Sequence, residues 1–320
     1  MKTLTRRTWL GWTGAVALGS LAPTVLAASK AQARARAQAK RNLKLGVFTG
    51  VYAGLPVEQA AQRIRDDGFG AVVLEFAFAD VRFDPCAPDW AAARKITECL
   101  TRHGLRTVGL FGYYNVLDPN DKRRRHGERR MELLIEKWRE FGCPLISTET
   151  GTLNAQSEWL ESPDNTTETA FVQCREAFAE LAENAERTGA VISIEPYWRN
   201  VIDSVARAER LLAEIKSPRL KLVMDPCNYF RKEELSRMEP MLKEMFRRLG
   251  KQIVLAHAKD VKAAADGTDL PAAGKGVLDY PLYLRLLADL NREVCLVIEH
   301  LTLDDVGRAR DYVLSQFERL

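Results

Sequence analysis

Histidine is scarce in this chain, with four among 320 residues, and its six cysteines show neither a CxxC pair nor regular spacing. The first scarcity excludes a metal cluster built mainly on imidazole, and the second excludes a thiolate zinc ribbon. Cys86, Cys99, Cys143, Cys174, Cys227 and Cys295 instead read as small buried hydrophobes, with no disulfide assignable from the sequence. A dinucleotide fingerprint is missing too. The turn after the first apolar run is Thr49-Gly50-Val51-Tyr52-Ala53-Gly54-Leu55, which is not GxGxxG. Residues 38–320 contain no low-complexity linker and no evident domain break.

Acidic residues are absent from one stretch. Residues 1–37 carry Lys2, Arg6, Arg7, Lys30, Arg34 and Arg36 and no acid. Removing those six leaves 41 basic side chains against 43 acidic, so the overall charge of +4 belongs to the N-terminus. The body is near neutral, which removes the electrostatic footprint of a nucleic-acid binder. Thr5-Arg6-Arg7-Thr8-Trp9-Leu10 resembles the twin-arginine export motif, and an apolar stretch from Trp9 to Ala28 follows it. Gly11, Gly14, Gly19 and Pro23 dilute that stretch, which favours a cleaved signal over a membrane anchor. The expected organisation is a signal peptide and basic spacer over residues 1–37 and one domain over 38–320. The expected destination is the periplasm, or export more generally, through the twin-arginine machinery and with no stable membrane partner afterwards.

What is present is repetition. Apolar runs begin near Leu43, Ala71, Leu105, Pro144, Ala190, Leu220, Ile253 and Val294, eight in all. Segments of helical period lie between them, among them Val57–Asp67, Arg129–Phe141, Phe171–Arg187 and Tyr280–Leu290. Gly68, Gly104, Gly142, Gly189 and Gly250 stand where left-handed residues would end helices. Pro56 suits a first helical turn, and Asp203 and Asp304 suit N-caps. Eight alternations predict an α/β fold, a closed (β/α)8 TIM barrel with helices outside.

In such a barrel, function gathers where the strands end. The second and fourth runs end in Glu75 and Glu149. The last four end in Glu195, Asp225, His257 and Glu299. Three carboxylates and an imidazole at successive strand mouths would repel one another and lose hydration unless a cation lay between them. One divalent ion resolves this, and the oxygen-rich set suits Mn²⁺, Mg²⁺ or Co²⁺ better than Zn²⁺.

The order Glu, Asp, His, Glu over these strands resembles the xylose isomerase-like superfamily of sugar isomerases and epimerases. So do the strings Ile194-Glu195-Pro196, Val223-Met224-Asp225 with Asn228, His257-Ala258-Lys259-Asp260 and Ile298-Glu299-His300. The segment Gly274-Lys275-Gly276-Val277-Leu278-Asp279-Tyr280 is similar to the glycine-rich loop that follows strand seven there. The resemblance implies a metal-dependent isomerase or epimerase of a small carbohydrate, working through a metal-stabilised enediolate. It implies Glu195 and Glu299 as acid/base groups as well as metal ligands, with Asp225 and His257 as ligands only. The second nitrogen of His257 would then be held by a further acceptor.

Ketose epimerases of this kind carry a His where this chain has Asn228 and an Arg where it has Ala263. Substrate contacts are therefore expected from Asn228, Lys259, Glu149, Trp198 and Tyr113. Lys259 is also placed to pair with Asp260, and Glu149 to serve as a cap or loop residue. A lyase or dehydratase acting on a keto-sugar, keto-inositol or 3-keto-glycoside is the second reading, and a non-catalytic sugar-binding barrel a further one. The endonuclease IV branch would need histidines on the early strands, where this chain has Glu75 and Tyr113-Tyr114-Asn115. The oligomeric state, homo-oligomer included, stays open.

Overall fold

The computed structural model describes residues 33–265 and 267–320. Eight parallel strands close into a barrel: β1 (Leu43–Phe48), β2 (Ala71–Leu74), β3 (Arg106–Phe111), β4 (Leu145–Glu149), β5 (Val191–Glu195), β6 (Leu220–Met224), β7 (Ile253–Ala258) and β8 (Val294–Ile298). Each pairs with its neighbours in sequence, and β8 pairs with β1 to seal the ring. All eight strands begin within one residue of the expected runs. The almost unbroken burial of β2, β4, β5, β6, β7 and β8 is that of parallel strands covered by helices on one side and filled by side chains on the other.

The outer ring is α1 (Val57–Asp66), α2 (Trp90–Arg102), α3 (Asp121–Lys137), α4 (Glu168–Thr188), α5 (Val205–Ile215), α6 (Met238–Leu249), α7 (Tyr280–Ala288) and α8 (Val306–Phe317). Each buries one stripe. α1, for example, turns Val57, Ala60, Ala61 and Ile64 inward, and a fully buried Ile or Val contributes roughly 1.5–3 kcal/mol. Side chains cap several N-termini: Asp89 for α2, Asn120 for α3, Thr167 for α4, Ser204 for α5 and Asp279 for α7.

Three local expectations are corrected. Ser204, not Asp203, caps α5, because its hydroxyl reaches the Arg207 amide. Asp304 lies inside a short 3-10 turn, Leu303–Asp305, and the cap position of α8 falls one residue later, on Asp305. Gly68, Gly104, Gly142 and Gly189 have positive φ, whereas Gly250 is right-handed and opens the turn Gly250–Gln252.

Residues 33–42 are helical and pack on the end of the barrel opposite the loops that follow the strands. Gln38 and Asn42 both donate to the Ala288 carbonyl at the end of α7, and Ala39 is fully buried. The twin-arginine motif and the apolar stretch after it lie outside the described residues. Among the described residues no helix is long and apolar enough to cross a membrane. All six cysteines are unpaired, five of them buried.

Candidate metal centre and substrate cavity

Glu195 closes β5, Asp225 directly follows β6, His257 is the penultimate residue of β7 and Glu299 directly follows β8. Barrel closure brings one ligand atom from each to within 4.8 Å of the others. His257 directs Nδ1 at the carboxylates, 3.3 Å from Glu195 Oε1, 3.4 Å from Glu299 Oε2 and 3.8 Å from Asp225 Oδ2. Its Nε2 is buried without a partner, which corrects the expected acceptor behind the ring. The physical reason is an apolar surround: the Phe48 ring stands edge-on to the imidazole, 5.3 Å between centroids.

Lys259, only 3% exposed, lies one residue past β7. Its Nζ is 2.8 Å from both Asp225 Oδ2 and Glu299 Oε1. The anticipated pairing with Asp260 does not form. Asp260 instead accepts the Gly274 and Leu278 amides at 2.9 Å and so pins the glycine-rich loop. A Cβ on Gly276 would come within 2.4 Å of Asp260 Oδ1, so this approach requires glycine.

Two neutral side chains orient Glu195. Asn228 Nδ2 donates to Oε1 at 2.8 Å, and the Tyr113 hydroxyl donates to Oε2. Burial alone would raise the Glu195 carboxyl, but His257 and Lys259 outweigh it and hold the group below its ordinary value. Asp225 is held down in the same way, against burial, by Lys259 and then His257. In Glu299 burial prevails over those same cations, and the carboxyl titrates above its ordinary range.

A dication fits this centre. Three carboxylates against one ammonium leave two negative charges uncompensated with His257 neutral. Asp225 Oδ2 and Glu299 Oε1 are buried and have no aligned hydrogen-bond donor, despite their closeness to Lys259. Oxygen donors with one imidazole are the chemistry of a hard to borderline divalent ion. A second group with metal-ligand spacing, Glu58, Cys99 and His103, lies on α1 and α2, away from the barrel mouth.

Glu195, Glu299 and Lys259 line a cavity of about 480 Å³, a size that takes a small molecule. Tyr113, Glu149, Asn228 and Lys259 line it, as anticipated. Trp198 does not. It is clamped behind the wall between Arg199 and Arg231, under the hairpin Lys262–Ala264/Gly267–Asp269, with its indole N–H on Thr268. The adjacent Tyr197 faces the cavity instead. Glu149 is neither cap nor loop residue: it ends β4, 2% exposed, with both oxygens lacking a partner. Burial pushes its carboxyl well above the usual range, helped by the charges of Glu158 and Glu195. Glu75 also lines the cavity and accepts the Gly50 amide at 2.6 Å.

Sequence reasoning missed the aromatic walls. Phe48 and Phe111 are the last residues of β1 and β3, so the rule that found the ligands would have found them. Trp159, Tyr197 and Asn200 come from loops with no periodic signal.

The chain belongs to the xylose isomerase-like TIM barrel family, whose pattern it matches over residues 61–313. Among individual proteins, it is 26% identical over 286 residues to fructoselysine 3-epimerase of Escherichia coli O157:H7, covering 86% of this chain and 96% of that one. Its fold matches that of 3-keto-D-glucoside 4-epimerase from Escherichia coli with a TM-score of 0.62 at 16% identity, over 85% of this chain and 99% of that one. A xylose isomerase-like barrel from Mycobacterium smegmatis in complex with magnesium superposes with a TM-score of 0.64 at 16% identity, covering 88% and 98%.

Proposed function

We propose that this chain is a divalent-metal-dependent epimerase or isomerase of a keto-sugar derivative. The observation that carries the reading is the meeting of Glu195, Asp225, His257 and Glu299 within 4.8 Å, beside a small-molecule cavity that Glu195 and Glu299 line. Two similar proteins bear the names of epimerases of sugar derivatives, and a further member of the fold binds magnesium. Mn²⁺, Mg²⁺ or Co²⁺ is the expected ion, held by those four residues. When bound, it would draw electron density from a substrate carbonyl and acidify the neighbouring C–H.

The chain's own groups then divide the proton work. Glu195 is oriented by Asn228 and Tyr113, which donate to its two oxygens, so it is the group to take the proton. Glu299, delivered by the end of β8, returns a proton from its own side. Lys259 balances charge beside the reacting carbon. Phe48 and Phe111 exclude water from the cavity.

The test is deuterium exchange. Full-length protein with Mn²⁺ is incubated in D₂O with D-fructose and with a 3-keto-glucoside. One deuteron entering next to the carbonyl, together with an epimer of otherwise unchanged mass, is expected. Glu195→Gln and Glu299→Gln should each slow exchange by at least about 10²-fold, and Glu195→Gln should weaken Mn²⁺ binding at least about tenfold. Loss of water or of an aglycone would move the assignment to a lyase. No exchange with any keto-sugar would overturn the reading.

A further inference from the structure

The side of the cavity formed by β4 and the loop after β5 is poor in hydrogen-bond donors. Both Glu149 oxygens and Asn200 Oδ1 are buried there without a donor among the described residues. Asn200 lies against Glu149 yet makes no aligned hydrogen bond to it, its amide nitrogen reaching only the Glu158 carbonyl at 3.5 Å. Both residues line the cavity, and both are at least 98% buried. Three buried acceptor atoms on two cavity-lining residues thus lack an aligned donor. An empty carboxyl of this kind costs stability unless a ligand supplies donors.

The charge balance narrows the ligand. No arginine lines the cavity among the described residues, and its one lysine, Lys259, is committed to Asp225 and Glu299. A bound dication would neutralise the centre and leave only the exposed His300 for a phosphate or carboxylate. Glu149 and Glu75 would remain the cavity carboxyls without a counter-charge, and of the two only Glu75 already accepts a hydrogen bond, from the Gly50 amide. A substrate hydroxyl supplies a single donor and no charge. An ammonium supplies three N–H donors and one positive charge, matching three acceptors and one carboxylate. Trp159, 49% exposed at the rim, and Tyr197 add aromatic faces on the same approach, which tolerate a cation and disfavour an anion.

We infer that the site takes an amino-bearing keto-sugar whose ammonium docks on Glu149 and Asn200, and that it discriminates against phosphorylated sugars. The inference rests on the keto-sugar reading above and names the substrate class for that same cavity. Glu149 is then a specificity-determining residue, spatially separate from the proton-transfer pair.

Equilibrium binding tests this without requiring turnover. Full-length protein loaded with Mn²⁺ is titrated calorimetrically at pH 8 with D-fructose, 1-amino-1-deoxy-D-fructose and D-fructose 6-phosphate. The amino sugar should bind at least about tenfold more tightly than fructose, and the phosphate at least about tenfold more weakly, as expected for one gained or one opposed charged hydrogen bond. In Glu149→Gln the advantage of the amino sugar over fructose should fall below about threefold, with a thermal midpoint that coincides with the parent's near pH 4 as the control for folding. Equal binding of the three sugars, no binding of the amino sugar, or an advantage that survives in Glu149→Gln would each overturn the inference. Deuterium exchange into fructose reports separately on the epimerase reading. Exchange without amine preference sinks the specificity claim alone, and amine preference without exchange sinks the epimerase claim alone.

Discussion

Lys259 shows how a buried charge sets the character of a site. Its ammonium reaches Asp225 and Glu299 at 2.8 Å each, with 97% of the residue's surface covered. Removing one partner of a buried ion pair leaves the other uncompensated, at a cost of roughly 3–5 kcal/mol. Lys259→Met should therefore lower the thermal midpoint sharply in a chelating buffer. Added Mn²⁺ should recover more of the variant's loss than it adds to the parent, because the vacated charge deepens the anionic well. Equal metal-induced shifts in the two proteins would contradict this account. Tyr113 makes a gentler case. Tyr113→Phe removes the hydroxyl that steadies Glu195, a bond of about 1.5–3 kcal/mol when its acceptor is charged. Exchange should slow roughly 10–100-fold while Mn²⁺ affinity stays within about threefold. A loss of metal binding as large as the loss of rate would show that Tyr113 serves the metal rather than the base.

At the scale of elements, each side chain of the candidate centre is delivered by a strand end, and the β7 end is secured by the loop behind it. Lys259 follows β7, and its carbonyl accepts the Tyr280 hydroxyl from the start of α7. The Tyr283 hydroxyl, one turn on, lies 2.9 Å from the His257 carbonyl and 3.0 Å from that of Met224. The glycine-rich loop before α7 is threaded against Asp260, which accepts amides from both of its ends. Gly276→Ala forces a methyl into Asp260 Oδ1 and the Val261 carbonyl, each 2.4 Å from the added carbon. Backbone cannot yield cheaply, so a loss of roughly 1–3 kcal/mol is expected in urea denaturation. The loosened loop should also slow exchange. A stable, fully active Gly276→Ala protein would show that this loop does not hold the β7 end.

For the whole molecule, opposing titrations shape the response to pH. Asp225 and Glu195 are depressed, so their contribution is present above the ordinary carboxylate range and lost as pH falls through their folded values. Glu149 is raised, which reverses the sign. Its contribution is full below its ordinary value of 4.5 and is lost as pH climbs through the folded value. Glu149→Gln keeps the shape without the ionisation. Parent and variant should melt together near pH 4, and the variant should melt about 2–4 °C higher at pH 8, for roughly 1 kcal/mol of relief. A parent that is more stable than the variant at pH 8 would mean Glu149 has a cationic partner in the free protein.

The sequence by itself determined the barrel and the four side chains of the candidate metal centre, because both follow from local order. Parallel strands flanked by helices must be apolar throughout, so their eight runs stand out. A ligand directly after an apolar run can be placed at the strand mouth without knowing its neighbours. Glu195, Asp225, His257 and Glu299 were legible for that reason. Tertiary structure alone decided which loop residues face inward. Tyr197 and Trp198 are adjacent in sequence, and only packing beneath the hairpin turns the tryptophan away and leaves the tyrosine at the cavity. It also decided charge pairing. Lys259 is bonded in sequence to Asp260, yet ring closure sets it between Asp225 and Glu299 while the glycine-rich loop claims Asp260. Pairing across a barrel depends on where eight strands meet, and no single segment of chain carries that information.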